Sequence, residues 1–257
     1  MRHQILYLLA SIITIPFLPL LWWQGRSIKA NMPDLPEAKG ENGIEGHHIP
    51  EVHILSLGES TMAGVGVEYH EEGLSGQVAK ALHRLTGQSV RWQVIAKSGF
   101  TAGKVKKMLV PKIAVKKLDL ILIGLGANDA FSLNSPLRWK RDMRDLIRRI
   151  REKEIHCPIV IANMPPVNDF PIFPKSFHLI LGNLIGLYGK TMQELSQQMN
   201  NVHFMDEVIS FERFLQKSPD KKDKNDFFSD GVHPSALTYS IWSEEIAEFI
   251  FQRKLVG

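Results

Sequence analysis

A hydroxyl, an amide and an imidazole preceded by a carboxylate stand in three short islands of this chain. The islands are Gly58-Glu59-Ser60, Gly126-Ala127-Asn128-Asp129 and Asp230-Gly231-Val232-His233. These residue types supply the parts of one chemistry, acyl transfer. A serine hydroxyl is a weak nucleophile until a neighbouring base takes its proton, and His233 is the candidate base for Ser60. Asp230 lies three residues before it, with Gly231 allowing a tight turn. Its carboxylate can therefore accept from the other ring nitrogen and fix the tautomer. An attacked carbonyl becomes an oxyanion that needs donors already in place. Asn128 offers an amide, Gly99 in Lys97-Ser98-Gly99-Phe100-Thr101 offers a main-chain N–H, and the N–H of Ser60 offers a third. Each island alone is commonplace, since Gly-x-Ser is often a turn and Asn-Asp often a cap. Their order along the chain is what joins them.

The elements around the islands explain why they should meet. Short apolar runs predict strands over 52–57, 90–96, 118–125, 158–163 and 202–206. Amphipathic stretches predict helices over 74–86, 101–109, 136–153, 178–199 and 235–252. The helix over 136–153 has the clearest signature. Ser135 can cap it, Pro136 takes the first helical position, and Met143, Leu146, Ile147 and Ile150 keep an i, i+3, i+4, i+7 stripe. Its other faces carry seven Arg and Lys side chains from Arg138 to Arg151, read as a solvated basic face with anionic lipid contact as the alternative. Strand–helix alternation implies parallel strands, right-handed crossovers and helices on both sheet faces. In such a sheet, reactive groups gather at the carboxyl ends of the strands. Ser60, Gly99 and Asn128 each follow successive strand candidates, and His233 comes just before the last helix.

With these blocks in this order, the chain resembles the SGNH hydrolase superfamily, also called the GDSL esterase/lipase family, named for a Ser, a Gly, an Asn and a His. The resemblance covers about residues 52–250 and rests above all on Gly-Ala-Asn-Asp and Asp-Gly-Val-His-Pro. It implies Ser60 as nucleophile, Asp230 and His233 as its catalytic partners, and Ser60, Gly99 and Asn128 as the oxyanion hole. One departure is Glu59, where the family's first block usually has Asp. The resemblance further implies a flavodoxin-like three-layer α/β/α fold with a parallel sheet of about five strands. The implied reaction is ester hydrolysis through an acyl-enzyme, with no metal and no cofactor.

Composition excludes other classes. Of 31 Lys and Arg side chains, Arg2, Arg26 and Lys29 fall in the acid-free first thirty residues, which leaves 28 basic against 27 acidic side chains in the rest. So nearly neutral a body lacks the concentrated basic footprint that nucleic acid requires. The glycines at 58, 64 and 66 come without the Gly-Lys-Ser/Thr of a phosphate loop. His47-His48 and the scattered His53, His83, His156, His178 and His203 show no metal-ligand spacing. Cys157 is the only cysteine, so no intramolecular disulfide can form.

The amino terminus reads differently from the body. Ile5 to Trp23 is nineteen residues without a charge, which as a helix approaches the ~30 Å hydrocarbon core. Trp22 and Trp23 stand where an interfacial anchor belongs. A cleaved secretory signal is the alternative, but Ile28-Lys29-Ala30 is a poor small-x-small site. Residues 1–30 are thus expected to be a membrane anchor or signal, 31–50 a linker rich in Pro, Gly and Glu, and 51–257 the hydrolase domain, held outside the cytoplasm. The stretch Pro165 to Pro174 follows the fourth strand candidate, where Phe170, Ile172 and Phe173, with nearby Phe177, either cover a bound acyl chain or simply pack on the body. The substrate expected is a lipid-like or glycan O-acyl ester. Acyl transfer to a glycan or lipid alcohol, and a catalytically idle binding module, are the alternatives.

Overall fold

The computed structural model describes residues 23, 26–27, 33–47, 51–114, 117–153, 155–164, 166–207, 209–218 and 223–256. The uncharged run 5–23 therefore lies outside the described residues except for Trp23. Among the described residues, no helix is long and apolar enough to cross a membrane.

Six strands form one sheet: β1 (Asn42–Glu45), β2 (Glu51–Gly58), β3 (Ser89–Ala96), β4 (Leu120–Gly124), β5 (Ile159–Ile161) and β6 (Val202–Phe204). Their order is β1-β3-β2-β4-β5-β6. All neighbouring pairs are parallel except β1, which runs antiparallel along β3. The five parallel strands have the order of a flavodoxin-like sheet, in which the chain reverses direction about its first parallel strand. The sixth strand is the difference from the sequence reading. It comes from the stretch expected to be a linker, whose Ala38 N–H also donates to the Ala63 carbonyl at 2.9 Å. Nothing in its polar, glycine-containing sequence reads as a strand. It is held by pairing, from Asn42 opposite Gln93 to Glu45 opposite Val90.

Strand β4 shows why the centre of the sheet was legible. Leu120, Ile121, Leu122 and Ile123 are all fully buried, as expected of a parallel strand covered on both faces. Helices α1 (Leu74–Thr86) and α7 (Ala236–Gln252) pack together, while α2 (Ala102–Met108), α4 (Pro136–Arg151) and α5 (Lys175–Gln198) form a second packed group. The stripe expected on α4 is the buried one. Met143, Leu146, Ile147 and Ile150 have no exposed surface, and Ser135 Oγ accepts from the Arg138 N–H at 3.2 Å. Trp139 of the same face stacks on Tyr188 of α5 with ring centroids 5.0 Å apart. Helix α5 starts three residues before its expected position, directly after Pro174. Two short helices, α3 (Ala127–Phe131) and α6 (Phe211–Lys217), carry too few residues to show a period.

Replacing Leu122 by Ala is expected to cost about 2–5 kcal/mol of stability through lost burial and a residual cavity. A urea-unfolding midpoint unchanged from wild type would contradict the central place assigned to β4.

Candidate active site

The register of the sheet levels three strand ends. Gly58 pairs with Ala96 on one side and with Gly124 on the other. The segments that follow, Glu59-Ser60, Lys97 to Phe100 and Leu125 to Asn128, therefore leave the sheet side by side. Hydrogen bonds reinforce the alignment, Glu59 N–H to the Gly124 carbonyl at 3.1 Å and Lys97 N–H to the Gly58 carbonyl at 3.2 Å. This is the point where the strand order reverses, the usual place for a ligand crevice in such sheets.

The carboxyl-terminal island arrives from the loop before α7. Asp230 Oδ2 lies 2.7 Å from His233 Nδ1, and its Oδ1 accepts the N–H groups of Val232 and His233 at 3.0 and 2.8 Å. An ionised carboxylate only accepts, so Nδ1 carries a proton, and in the neutral imidazole Nε2 is then the nitrogen with the lone pair. Burial pushes the Asp230 carboxyl up. The bonds from the His233 side chain and main chain, the attraction of that imidazole and the bond from Val232 outweigh this and hold it below the usual carboxylate range.

The segment after Ser60 is docked onto this loop. The Val65 N–H donates to the Ser60 carbonyl at 3.1 Å, and Tyr239 of α7 donates its hydroxyl to the Val65 carbonyl at 2.7 Å. Ser229 Oγ lies 3.1 Å from the carbonyl oxygens of both Gly66 and Pro234. Gly66 has φ +108, and a Cβ there would stand 2.3 Å from the Pro234 oxygen. The structure joins Asp230 to His233 by a hydrogen bond and brings their loop against the Ser60 segment. It shows no hydrogen bond between Ser60 Oγ and His233 among the described residues. Such contacts often tighten only when substrate docks.

The segments carrying the three expected donors lie side by side at these strand ends. Gly99 sits at φ +76 with nothing within 4 Å of where a Cβ would be, so its turn faces open space. The loop carrying it is fixed at both ends. Glu37 accepts from Lys97 Nζ at 2.9 Å and from the Ser98 N–H at 2.6 Å, and buried Asp129 accepts from the Ala102 N–H at 2.7 Å. Asp129 also takes the Asn134 side-chain amide at 2.7 Å. Asn128 is held by Glu59, whose carboxylate accepts the N–H groups of Ala127 and Asn128, each at 2.9 Å, and also the Asn128 side-chain amide.

The aromatic loop packs rather than gapes. Phe170 is buried and meets Phe228 and Phe173 edge-on at 5.6 and 5.4 Å, and Phe173 is nearly as buried. Ile172, half-buried, packs on Gly231, 3.0 Å from where a Cβ would stand. Phe131, 40% exposed, meets Phe173 edge-on at 5.7 Å and adds an apolar surface three residues after Asn128. That position gave no signal, because a lone aromatic in a five-residue helix has no period.

A family model described as "GDSL-like Lipase/Acylhydrolase family" matches residues 56–241, a span that includes every one of these islands. The chain belongs to this family. It thus falls in the SGNH/GDSL hydrolase superfamily, whose members act on ester bonds. Similar proteins include the GDSL-like esterase Rv1075c of Mycobacterium tuberculosis, 28% identical over 129 residues that span 49% of this chain and 40% of that protein. Among solved structures, the lipase Lip_vut3 from a goat rumen metagenome aligns at 19% identity and TM-score 0.56, covering 76% of this chain and 95% of its own. A single-residue variant of an acetyl-xylooligosaccharide esterase from Geobacillus aligns at 16% identity and TM-score 0.58, covering 80% and 94%. At those identities the two structures speak for the fold alone.

Within this GDSL-family chain, the residue that sequence reasoning left without a role is Glu59. Only 3% of it is exposed. Burial pushes its carboxyl up to about 7, against the pull of the Asn128 and Ala127 N–H groups, and the charge of Asp129 adds to the rise. Burial likewise raises Asp129 above the usual range. Cys157, toward the other end of the sheet, is pushed by burial up to about 11 and so stays a thiol. Among the described residues, no group of three or more His, Cys, Asp or Glu could hold a metal ion.

Two outcomes follow from this geometry. Gly66→Ala should lower stability by about 1–3 kcal/mol, because both φ and the Pro234 carbonyl oppose the added methyl. A thermal midpoint equal to wild type would show that the two loops are not docked at Gly66. A carboxyl raised on folding stabilises the fold fully below its unfolded pKa, and that contribution is lost as pH rises through the folded value. For Glu59 the window runs from 4.5 to about 7. Between pH 4.5 and 8 the wild type should therefore lose on the order of 1–3 kcal/mol more stability than Glu59→Gln. Urea midpoints at both pH values measure the difference, and parallel pH dependences would place the Glu59 pKa in the ordinary range.

Proposed function

We propose that this chain is a serine esterase that hydrolyses carboxylic esters through an acyl-enzyme on Ser60. The observation that carries the reading is the Asp230–His233 pair at 2.7 Å, on a loop docked against the segment that follows Ser60. In this mechanism His233 Nε2 takes the Ser60 proton as Oγ attacks the ester carbonyl. The oxyanion is received by the main-chain N–H groups of Ser60 and Gly99 and by the Asn128 amide. His233 returns the proton to the leaving alcohol. Water, deprotonated by the same imidazole, then releases the acid and regenerates Ser60. Asp230 keeps its charge throughout and steadies the imidazolium formed at each step.

The apolar rim of Phe131 and Ile172 supports an ester with a hydrophobic acyl or alcohol part, in a lipase-like reading. The buried Phe170 and Phe173 back this rim. Membrane attachment through residues 5–23, with the hydrolase domain outside the cytoplasm, remains part of the proposal and rests on the sequence alone.

Replacing Ser60 by Ala is expected to lower chromogenic ester hydrolysis at least about 1,000-fold and to abolish covalent labelling by a fluorophosphonate, with the thermal midpoint within a few degrees of wild type. Labelling that survives the substitution would locate the nucleophile elsewhere.

A further inference from the structure

Glu59 is buried next to the nucleophile yet has no part in the mechanism above. Its carboxylate receives three N–H groups, two from the main chain at the start of α3 and one from the Asn128 side chain. The main-chain pair accounts for holding α3 against β2. The third bond is different, because it falls on a group assigned to the chemistry.

A side-chain amide has two N–H bonds, and both of those on Asn128 are engaged. One goes to Glu59 Oε2 at 2.5 Å and the other to the Phe100 carbonyl at 3.3 Å. An oxyanion entering the crevice must displace one of these acceptors. The Phe100 contact is much the longer and joins two neutral groups, so it yields first. It also belongs to the turn that carries Gly99, whose N–H is a second donor to the same oxyanion. The geometry points to Glu59 as the positioning residue of the oxyanion hole: by fixing one amide hydrogen of Asn128, it aims the other at the Gly99–Phe100 turn. Without that hold the terminal torsion of an asparagine is broad, and the donor would have to be ordered anew in each turnover. This assignment rests on the reading of Asn128 as an oxyanion donor.

A carboxylate one methylene shorter separates the roles. Glu59→Asp withdraws the oxygens by about 1.5 Å, so it gives up the Asn128 Nδ2 bond and loosens the main-chain bonds at the same oxygens while remaining a carboxylate. Its kcat on a chromogenic ester is expected to fall about tenfold with KM within about twofold, since the lost interaction matters only once the oxyanion forms. Asn128→Ala alone should lower kcat by about 100-fold or more. In the Asn128→Ala background, Glu59→Asp should change kcat by less than about twofold, because the group it positions is gone. Urea midpoints confirm that each variant is folded. If Glu59→Asp does not fold, Glu59→Gln, of native length, enters the same cycle, and its effect must likewise vanish without Asn128. An unchanged kcat in Glu59→Asp, or an equal fall in both backgrounds, overturns the positioning role while leaving the esterase reading in place. A normal kcat in Asn128→Ala removes the oxyanion reading itself, and the positioning role with it.

Discussion

Parallel pairing of β2 with both β3 and β4 sets the terms for everything at the crevice. Because Gly58 lies level with Ala96 and Gly124, three chain segments leave the sheet at one height, within reach of each other's main-chain groups. Two buried carboxylates then tie these segments together. Glu59 joins the end of β2 to the start of α3, and Asp129 joins α3 to the start of α2. Each accepts main-chain N–H from a segment distant in sequence, Glu59 from two residues and Asp129 from one. Unpaired, either buried charge would be severely destabilising. Their hydrogen bonds offset part of that cost and convert loose strand-to-helix turns into a rigid frame. The fourth segment, carrying Asp230 and His233, is held by Tyr239 and Ser229 to the chain just after Ser60.

Much of this could be read from the residues, for reasons visible in particular elements. Strand β4 is apolar because both of its faces are covered, and α4 carries its core stripe and cap within one continuous stretch. The islands at 58–60, 126–129 and 230–233 were legible because glycine, serine, amide and carboxylate types fall at short fixed spacings. What escaped notice depends on distant partners. The stretch 42–45 looks like linker because an edge strand pairing along one side needs little apolar content of its own. Glu37 reads as one more acid in a polar segment, yet it holds Lys97 and Ser98 sixty residues on. Glu59 was visible as a departure from the usual Asp, but only coordinates reveal that its length reaches a side-chain amide.

The aromatic residues after β5, expected either to cover an acyl chain or to pack on the body, are largely buried in the structure. Phe170, Phe173, Phe177 and Phe228 meet ring to ring at 5.4 to 5.6 Å. Rings packed in this way help to fix the loop, alongside its own turns, in which the Asp169 N–H donates to the Pro166 carbonyl at 2.8 Å and the Phe173 N–H to the Phe170 carbonyl at 3.2 Å. Ile172 stays partly exposed against Gly231, and Phe131, 40% exposed, presents an apolar face three residues after Asn128. The loop therefore contributes chiefly as a wall whose position is fixed by buried rings.

The basic face of α4 finds a structural use at the opposite end of the sheet. Arg144, Arg148 and Arg151 line a groove of about 630 Å³ together with residues that lead into β5 and β6. Arg151 donates to the carbonyls of Ile155, Cys157 and Asn201 at 2.7 to 3.1 Å and to that of Asn200 at 3.4 Å. It thus satisfies acceptors that the approaches to both strands leave open. The five residues of β4 alone span roughly 16 Å, about twice the screening length of ~8 Å at physiological ionic strength. Charges so placed act on their own end of the molecule. The charges able to act near the proposed crevice are those at its own end of the sheet, among them Lys97 of the Gly99 loop, paired with Glu37, and Lys104 over the Phe100 ring.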